Sequence, residues 1–230
     1  MHVAMACFVN PLERVVDYYL YPTLPTNSKQ CLCPTYNIGG TECLLMKRSD
    51  ATCRGFYCHG NLVTLADLYN NKIVHKMVDA CRCNFVAPAY PSYNCTGEYT
   101  HDEVTVNAAA AAYNRICSDQ TQPVIVVGRS LGSAIAISLA CERAPAGIAS
   151  ISGFSSVYAL LPFQALRCVL RDRFNSEKNL ACASLSNVPK IIIHGNADTL
   201  IPIEHALRLV ECATLTECHY ISDMDHCPTD

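Results

Sequence analysis

Residues 123–143 read PVIVVGRSLGSAIAISLACER and join the pattern of a buried strand to that of a buried helix. After its proline, the run 123–127 is entirely β-branched, which is typical of a central strand in a parallel sheet. Residues 131–143 are apolar over most of their length and predict a buried helix. Between them lies GRSLG, a G-x-S-x-G pattern at 128–132. A strand that runs through this pattern into a helix is the context of a nucleophile elbow, a sharp turn that presents a serine.

The two glycines of this pattern have a physical reason. Ser130 would occupy a strained turn, and side chains at Gly128 or Gly132 would collide with the crossing strand and helix. The first N–H groups of the predicted helix point at the same place, where they would stabilise negative charge. Such patterns also occur by chance, but the flanking strand and helix favour the elbow.

Apolar runs alternate with helical patterns along the rest of the chain. This alternation indicates βαβ units and predicts an α/β fold, with a mostly parallel central sheet and helices on both faces. Ligands of such sheets bind beyond the carboxyl ends of the strands. The predicted strands are residues 43–47, 55–58, 84–87, 123–127, 147–151, 188–194 and 217–221, and the predicted helices are residues 62–78, 101–117, 131–143 and 203–212.

Two further residues with catalytic chemistry, Asp198 and His226, each lie in the turn after a predicted strand. Serine, aspartate and histidine in this chain order form the triad of one class of hydrolases. Ser130 would be the nucleophile, His226 would accept its proton, and Asp198 would orient the imidazole and stabilise its charged form. Asp223 and Asp225 are too close to His226 in sequence to reach its Nδ1 easily, so Asp198 is the better orienting group.

Three other histidines compete with His226 for the role of base. His194 directly precedes the turn that carries Asp198, and the alternative for it is a packed residue at a strand end. His219 lies within a predicted strand and His205 on a predicted helix, which favours structural or solvated side chains for both.

His59-Gly60-Asn61 follows an earlier predicted strand. A histidine–glycine pair at that place lets a backbone N–H approach a developing oxyanion. We expect the two donors to be the backbone N–H groups of Asn61 and Leu131. The alternative is an ordinary turn between a strand and a helix. The coincidence of His59-Gly60-Asn61 with the other three motifs favours the functional interpretation.

Composition excludes several classes of protein. The length of 230 residues allows one large domain or at most two small ones. The 17 basic and 20 acidic residues give a net charge of −3, which lacks the basic excess needed to bind nucleic acid by bulk charge. Half of the residues are apolar and 16% are charged, so disorder is excluded and a sizeable core is implied. No stretch approaches the ~20 apolar residues of a membrane span.

The chain has 16 cysteines. Many of them, such as Cys58, Cys141 and Cys168, lie in apolar runs and are expected to act as small buried hydrophobic residues. The pairs at 31–33 and 81–83 are C-x-C, not the C-x-x-C of zinc or redox sites, so we expect no structural metal. Since the chain is long and has a large core, we expect mostly reduced thiols in a cytoplasmic protein rather than a disulfide framework.

Four prolines interrupt the first forty residues, which end in Gly39-Gly40. We expect residues 1–40 to form a lead-in segment draped over a single domain, residues 41–230. Residues 11–19 can form an amphipathic turn or two, and two alternatives remain for them: a helix packed on the domain, or an anchor that lies on a membrane surface.

Taken together, these motifs resemble those of the α/β-hydrolase superfamily. The resemblance rests on HGN at 59–61, GRSLGS at 128–133, HGNAD at 194–198 and DH at 225–226. They are most similar to the motifs of eukaryotic α/β-hydrolase-domain-containing proteins, a group that includes protein depalmitoylases and is also described as serine-aminopeptidase-like. The resemblance covers roughly residues 43–226 and implies the α/β-hydrolase fold, with a short lid, and a serine hydrolase that needs no metal or organic cofactor.

The chain departs from this family pattern in three places. Asp225 replaces the glycine that usually precedes the family's histidine, which leaves the geometry of that loop open. Relatives usually continue after this histidine with a helix beside the sheet, and we expect that helix to be absent here. Three explanations stay open: the chain is naturally shorter, it is a fragment, or its N-terminal segment caps the sheet instead. Cys7 is the only cysteine before Cys31, so the acylated cysteine cluster of the depalmitoylases is not evident.

Residues 154–187 lie where the family inserts its lid. They contain an apolar stretch, 157–170, followed by a polar one, 171–178. A short apolar lid suits an acyl chain or a modest hydrophobic substrate. The alternative is that 157–170 is simply a packed helix.

The sequence thus predicts a serine hydrolase that cleaves acyl esters or thioesters through an acyl-enzyme, with a small molecule or an acylated protein as substrate and protein depalmitoylation among the candidate reactions. It predicts a cytoplasmic location, with peripheral membrane contact as an added alternative, and no nucleic-acid partner.

Two rival functions remain. An aminopeptidase-like peptide hydrolase would need a carboxylate pair for the substrate's amino terminus, which the sequence does not show clearly. A non-catalytic binding module on the same fold is the other rival, and the complete triad argues against it.

Overall fold

The computed structural model describes residues 33–93, 101–118, 122–161 and 168–227, together with Leu12, Glu13, Val16 and Leu20. Cys7, Cys31 and most of the predicted lead-in segment lie outside the described residues. Among the residues described, no helix is long and apolar enough to cross a membrane.

Eight strands form one sheet in the order β1-β2-β4-β3-β5-β6-β7-β8. The pairs from β4 through β8 are parallel, whereas β2 pairs antiparallel with both β1 and β4. The mostly parallel sheet predicted from the sequence is therefore confirmed. The strands are β1 Thr35–Ile38, β2 Thr41–Met46, β3 Cys53–Cys58, β4 Cys83–Pro88, β5 Val124–Arg129, β6 Gly147–Ile151, β7 Lys190–Gly195 and β8 Thr216–Ile221.

The strand order reverses at β3, because β4 pairs on one side of it and β5 on the other. Cys58 at the end of β3 lies directly opposite Gly128 in β5. The turns that follow these two strands therefore leave the sheet side by side. A crevice at such a reversal point is where open α/β sheets place their ligands.

A short hairpin joins β1 to β2. Its two-residue turn is Gly39-Gly40, and both glycines have positive φ, 63° and 86°. Two central residues with positive φ match the twist of a tight hairpin, and glycine adopts them without strain. The sheet therefore begins before the expected boundary at residue 40. β1 lies inside the predicted lead-in segment and is part of the domain.

The single helix predicted over 62–78 is wrong, because the structure has two helices there. Thr64 begins the first with a capping box, in which its side chain accepts from the Asp67 N–H while the Asp67 carboxylate accepts from the Thr64 N–H. Asn71 then takes an extended conformation and ends that helix. The helices are α1 Leu65–Asn70, α2 Lys72–Cys81, α3 Asp102–Cys117, α4 Leu131–Arg143, α5 Val157–Leu160, α6 Ser176–Leu180 and α7 Glu204–Cys212, with 3-10 turns at Pro91–Tyr93 and Ala183–Leu185.

Helices cover both faces of the sheet. Val126 packs into an apolar cluster with α3 and α4, whereas Val127, its neighbour in β5, packs into a cluster with α1 and α2 on the other face. Of the described helices, none covers the second face over β7 and β8, where Ile191 and Ile221 are 39% and 42% exposed.

The described part of the N-terminal segment packs on the domain. Val16 and Leu20 contact the cluster on the α3–α4 face. The Glu13 carboxylate pairs with Arg173, whose side chain is almost fully buried, and also accepts from the Arg171 N–H at 2.5 Å. These contacts tie the N-terminal segment to the predicted lid region.

The predicted lid, residues 154–187, contains two short helices, α5 and α6, and residues 162–167 lie outside the described part of the chain. Val157 and Leu170 are buried, whereas Val169 is half-exposed. The described part of the segment 157–170 is therefore helical only over α5, and the packed alternative holds for Val157.

One cysteine pair departs from the expected reduced state. Cys53 in β3 and Cys83 in β4 form a disulfide between adjacent parallel strands. The C-x-C spacing of residues 81–83 places Cys83 on the sheet and leaves Cys81 exposed at the end of α2. Free thiols in the described chain include Cys43, Cys58, Cys81, Cys117, Cys141, Cys168, Cys182, Cys212, Cys218 and Cys227.

The two glycines of the G-x-S-x-G turn lie where helix α4 crosses the sheet most closely. A Cβ atom at Gly132 would lie 2.0 Å from the Cys58 carbonyl oxygen, and one at Gly128 would lie 2.2 Å from the Gly132 oxygen. Gly60, in the neighbouring turn, is different, since a Cβ there would have its nearest atoms at 3.6 Å.

Gly132→Ala should therefore lower the free energy of unfolding by about 3 kcal/mol or more, because the obstructing atoms are backbone and cannot rotate away. Gly60→Ala should change it by less than about 1 kcal/mol and serves as the matched control. Urea unfolding of both variants beside wild type measures the difference. Equal stability of the two variants would contradict the close crossing of α4 and β3.

Candidate functional site

Ser130 lies in a strained turn at the junction of β5 and α4. Its φ and ψ are 53° and −122°, a region that non-glycine residues rarely occupy. The turn is held by a bond from the Ser130 N–H to the Ile151 carbonyl, 2.9 Å, and by one from the Ser133 N–H to the Ser130 carbonyl, 2.9 Å. The hydroxyl is thereby fixed at the carboxyl edge of the sheet, as the elbow pattern predicts.

His226 links Ser130 to Asp198. Its Nε2 lies 3.0 Å from Ser130 Oγ, and its Nδ1 lies 2.7 Å from Asp198 Oδ2. An ionised carboxylate can only accept, so Nδ1 carries the proton and Nε2 is free to accept from the serine hydroxyl. The three residues predicted from separate motifs are therefore brought into one hydrogen-bonded chain.

The carboxylate of Asp198 is fully buried. Its Oδ1 accepts from the backbone N–H groups of Leu200 at 3.1 Å and Ile201 at 2.8 Å. These two bonds replace part of its lost hydration and leave Oδ2 for the imidazole. The tight turn after β7 therefore fixes which oxygen faces His226.

Three hydrogen bonds hold the loop that carries His226. The Arg129 guanidinium donates to the His226 carbonyl oxygen. The Asp225 carboxylate accepts from the His226 N–H at 2.5 Å, and the Asp223 N–H donates to the Asn196 side chain at 2.8 Å.

The residue with positive φ in this loop is Asp223, at 58°, and not Asp225. The aspartate at the family's usual glycine position is therefore accommodated without left-handed backbone.

The competing histidines have other partners. His194 is buried and donates from Nε2 to the Ile201 carbonyl, 2.8 Å away, and this nitrogen lies 3.7 Å from the Asp198 carboxylate. His205 is buried and accepts at Nδ1 from Ser155. His219 is exposed beside Glu217. None of these three imidazoles has a hydrogen bond to Ser130 among the contacts of the described residues.

The turn after β3 is built on aromatic rings. His59 stacks on Tyr90 with ring centroids 3.9 Å apart, and the Tyr90 hydroxyl donates to the His59 carbonyl at 2.9 Å. Burial lowers the pKa of His59 to about 4, so its ring is neutral near pH 7 and donates from Nδ1 to the Gly60 carbonyl. The Tyr93 hydroxyl donates to the Asn61 side chain. His59 is thus a support for the turn.

This turn lies beside the serine. The position of a Cβ on Gly60 would be 3.6 Å from Ser130 Cβ, so the backbone of residues 60–61 borders the nucleophile. Leu131 is the first residue of α4, and its N–H has no acceptor within the helix. Leu131, one of the two backbone donors expected from the sequence, follows Ser130 directly in the chain, and Asn61 follows Gly60 in the neighbouring turn.

An apolar wall adjoins the same place. Leu131 belongs to a buried cluster with Phe154 after β6, Val157 in α5 and Ile201 after Asp198. These side chains come from separate turns at the carboxyl edge of the sheet. They are only 2–4% exposed, so this cluster is packed core beside the turn of Ser130.

Sequence analysis missed three supporting residues: Arg129, Tyr90 and Tyr93. Arg129 occupies the variable position of the G-x-S-x-G pattern, and no local signal indicates that its side chain reaches a loop 97 residues away. Tyr90 and Tyr93 lie in a turn-rich segment, and their aromatic side chains are the signal that could have indicated their supporting role. The described residues hold no group of three or more His, Cys, Asp or Glu side chains arranged to bind a metal ion.

Comparison with known sequences gives a local match only. No family model matches the chain. Two uncharacterised proteins of Mycobacterium tuberculosis, MT2364 and Rv2307c, are 33% identical over 90 residues, which cover 37% of this chain. The match spans about a third, 31%, of the length of these curated relatives.

Comparison with solved structures covers most of the chain. An α/β serine hydrolase homologue from Coxiella burnetii has a TM-score of 0.61 at 15% identity, over 84% of this chain and 88% of that one. Est1E from Butyrivibrio proteoclasticus, solved with ferulic acid, has a TM-score of 0.64 at 12% identity, over 86% and 92%. Mouse α/β-hydrolase domain-containing protein 10 has a TM-score of 0.54 at 15% identity, over 84% and 90%. The resemblance inferred from the motifs is confirmed at the level of the fold: this chain has the α/β-hydrolase fold.

Proposed function

We propose that the protein is a serine hydrolase that cleaves acyl esters or thioesters through an acyl-enzyme. One observation carries the proposal. The His226 imidazole bridges the Ser130 hydroxyl and the buried Asp198 carboxylate at 3.0 and 2.7 Å. This arrangement provides a base for the hydroxyl proton and a fixed negative charge for the imidazolium that forms.

The reaction follows from these positions. Ser130 Oγ attacks the carbonyl carbon of the substrate as its proton passes to His226 Nε2. The oxygen of the tetrahedral intermediate takes the negative charge and is stabilised by the N–H groups of Asn61 and Leu131. Collapse expels the alcohol, protonated by His226, or a thiolate, which leaves without full protonation. Water then attacks the acyl-enzyme with the same imidazole as base.

The apolar wall supports an uncharged acyl group as the part of the substrate bound beside Ser130. It consists of Leu131, Phe154, Val157 and Ile201, which are 2–4% exposed here, so an acyl chain would have to displace part of this packing to reach them. Each methylene moved from water to such a surface contributes ~0.8 kcal/mol. The acyl group can belong to a small molecule or to an acylated protein, and depalmitoylation is the macromolecular form of this proposal.

Two rival functions, one within the hydrolase class and one outside it, have less support. A peptide hydrolase of the aminopeptidase type needs free carboxylates for a charged amino terminus, but Asp198 and Asp225 already accept from backbone N–H groups. A binding module without catalysis would have no use for the strained turn at Ser130. The cytoplasmic location and the peripheral membrane contact stay predictions from the sequence.

Ser130→Ala should abolish labelling by a fluorophosphonate probe and lower ester turnover on the order of 10⁴-fold or more, because no other described hydroxyl contacts His226. Ser138→Ala, on the same helix but bonded to Asn179, is the control and should label like wild type. Equal labelling of Ser130→Ala and wild type would mean that the nucleophile is another residue.

His226→Ala should lose activity, while His194→Ala should keep activity within about tenfold per folded molecule. With wild type, activity should rise over the range of about pH 5 to 8 in which histidines titrate, because only neutral imidazole can accept the serine proton. Steady-state rates of the variants, each normalised to folded protein by circular dichroism, measure this. The reverse ranking would assign the base to His194.

Thioesters with longer acyl chains should be the better substrates until the apolar surface is filled, since affinity grows with buried methylenes. The measurement compares kcat/KM for acetyl, octanoyl and palmitoyl thioesters and for an aminoacyl amide under one condition. An aminoacyl amide that outperforms all three thioesters would favour the peptidase. A profile independent of chain length would show that the wall around Leu131 does not bind the acyl chain.

A further inference from the structure

A second pair of nucleophilic side chains lies away from Ser130. Cys141, in the last turn of α4, and Cys182, just after α6, approach each other to an Sγ–Sγ distance of 2.8 Å. A disulfide bond is ~2.05 Å long, so the two sulfurs need to move together by only roughly 0.8 Å to bond. Both residues are partly exposed, so the pair is open to a reagent from solvent.

The surroundings of Cys182 suit a thiolate. Its sulfur accepts from the Cys141 thiol and lies 3.0 Å from the Ser184 hydroxyl. The Lys190 ammonium donates to the carbonyls of Leu185, Val188 and Thr214; burial lowers its pKa, and a negative charge on Cys182 opposes that shift. A positive charge and hydrogen-bond donors stabilise the nucleophilic form of a cysteine.

The two thiols are therefore not equivalent. Burial raises the pKa of Cys182, but its hydrogen bonds, first of all the one with Cys141, outweigh burial, and the pKa is lowered. Burial and the hydrogen bond to Cys182 raise the pKa of Cys141 to about 11. Cys182 is the attacking sulfur and Cys141 the resolving one.

We propose that Cys141 and Cys182 form a thiol–disulfide exchange site, at which a low-molecular-weight disulfide converts the pair into an intramolecular disulfide. With oxidised glutathione, the Cys182 thiolate attacks one glutathione sulfur, the glutathione S–S bond breaks, and one glutathione thiolate leaves. This thiolate takes the proton of Cys141. The Cys141 thiolate then attacks Cys182 Sγ and expels the second glutathione, which takes a proton from water. Two protein thiols are oxidised and one glutathione disulfide is reduced to two thiols.

This site is independent of the proposed hydrolase activity. Cys141 is ten residues along α4 from Leu131, which at 1.5 Å per residue is about 15 Å from the nucleophile turn. Simple accessibility would direct a disulfide reagent elsewhere, because Cys81, Cys168 and Cys227 are the exposed free cysteines of the described chain. The geometry of the pair, and not its exposure, predicts the reaction.

The experiment treats the full chain with dithiothreitol, removes the reductant, and exposes the protein to oxidised glutathione. Remaining thiols are then alkylated, and the peptides are mapped by mass spectrometry. We expect a peptide linked through Cys141 and Cys182 to form before glutathione appears on Cys81, Cys168 or Cys227. The linked protein should melt several degrees higher than the reduced one, because the bond closes a loop between residues 41 positions apart.

Variants separate the two roles. Cys141→Ser should stop the reaction at a mixed disulfide with one glutathione on Cys182, and Cys182→Ser should leave Cys141 unmodified. Cys168→Ser, which removes an exposed cysteine outside the pair, is the matched control and should form the link as wild type does. Glutathione distributed over the exposed cysteines, with Cys141 and Cys182 still alkylated, would overturn the proposal, as would modification of Cys141 at an undiminished rate in Cys182→Ser.

Discussion

Helix α4 crosses the end of β3 so closely that there is no room for a methyl group between Gly132 and the carbonyl of Cys58. This single approach has two effects at the carboxyl edge of the sheet. It brings the first N–H groups of α4 against the turn that carries Gly60 and Asn61, and it forces Ser130 into a turn with positive φ. Ser130 and the turn of residues 59–61 therefore take their positions from packing in the core together with their own hydrogen bonds.

The other half of the site depends on buried charge. The Asp198 carboxylate is removed from water and would be costly to keep ionised without partners, and two backbone N–H groups and one imidazole provide them. The imidazole in turn is fixed by a loop whose carbonyl binds Arg129, the residue next to Ser130. Each part of the site thus orients another, and a disturbance of the β8 loop reaches the nucleophile through two contacts.

Local patterns predicted the parts of the fold that local forces determine. The bounds of α4 and β6 agree with the predicted ones, because an unbroken apolar run flanked by glycine or charge has few other structures available. The prediction of one helix over 62–78 was wrong because the apolar spacing continues through residue 71. The capping box at Thr64 sets a later start, and the extended conformation of Asn71 separates two helices. The Cys53–Cys83 disulfide and the reach of Arg129 to His226 depend on strand neighbours distant in sequence, which no local pattern encodes. The three triad residues could be named because each follows a strand, and the parallel sheet gathers strand ends at one edge.

The backbone of Ser130 has a consequence for how such a chain changes over generations. A non-glycine residue at φ 53° and ψ −122° carries strain of about 1–3 kcal/mol, and glycine at the same position would carry almost none. Drift toward greater stability would therefore replace this serine with glycine, since the fold itself gains nothing from the hydroxyl. A lineage that had given up chemistry and kept only the scaffold would be free to take that step. Under the proposed function, this serine is retained for its reactivity.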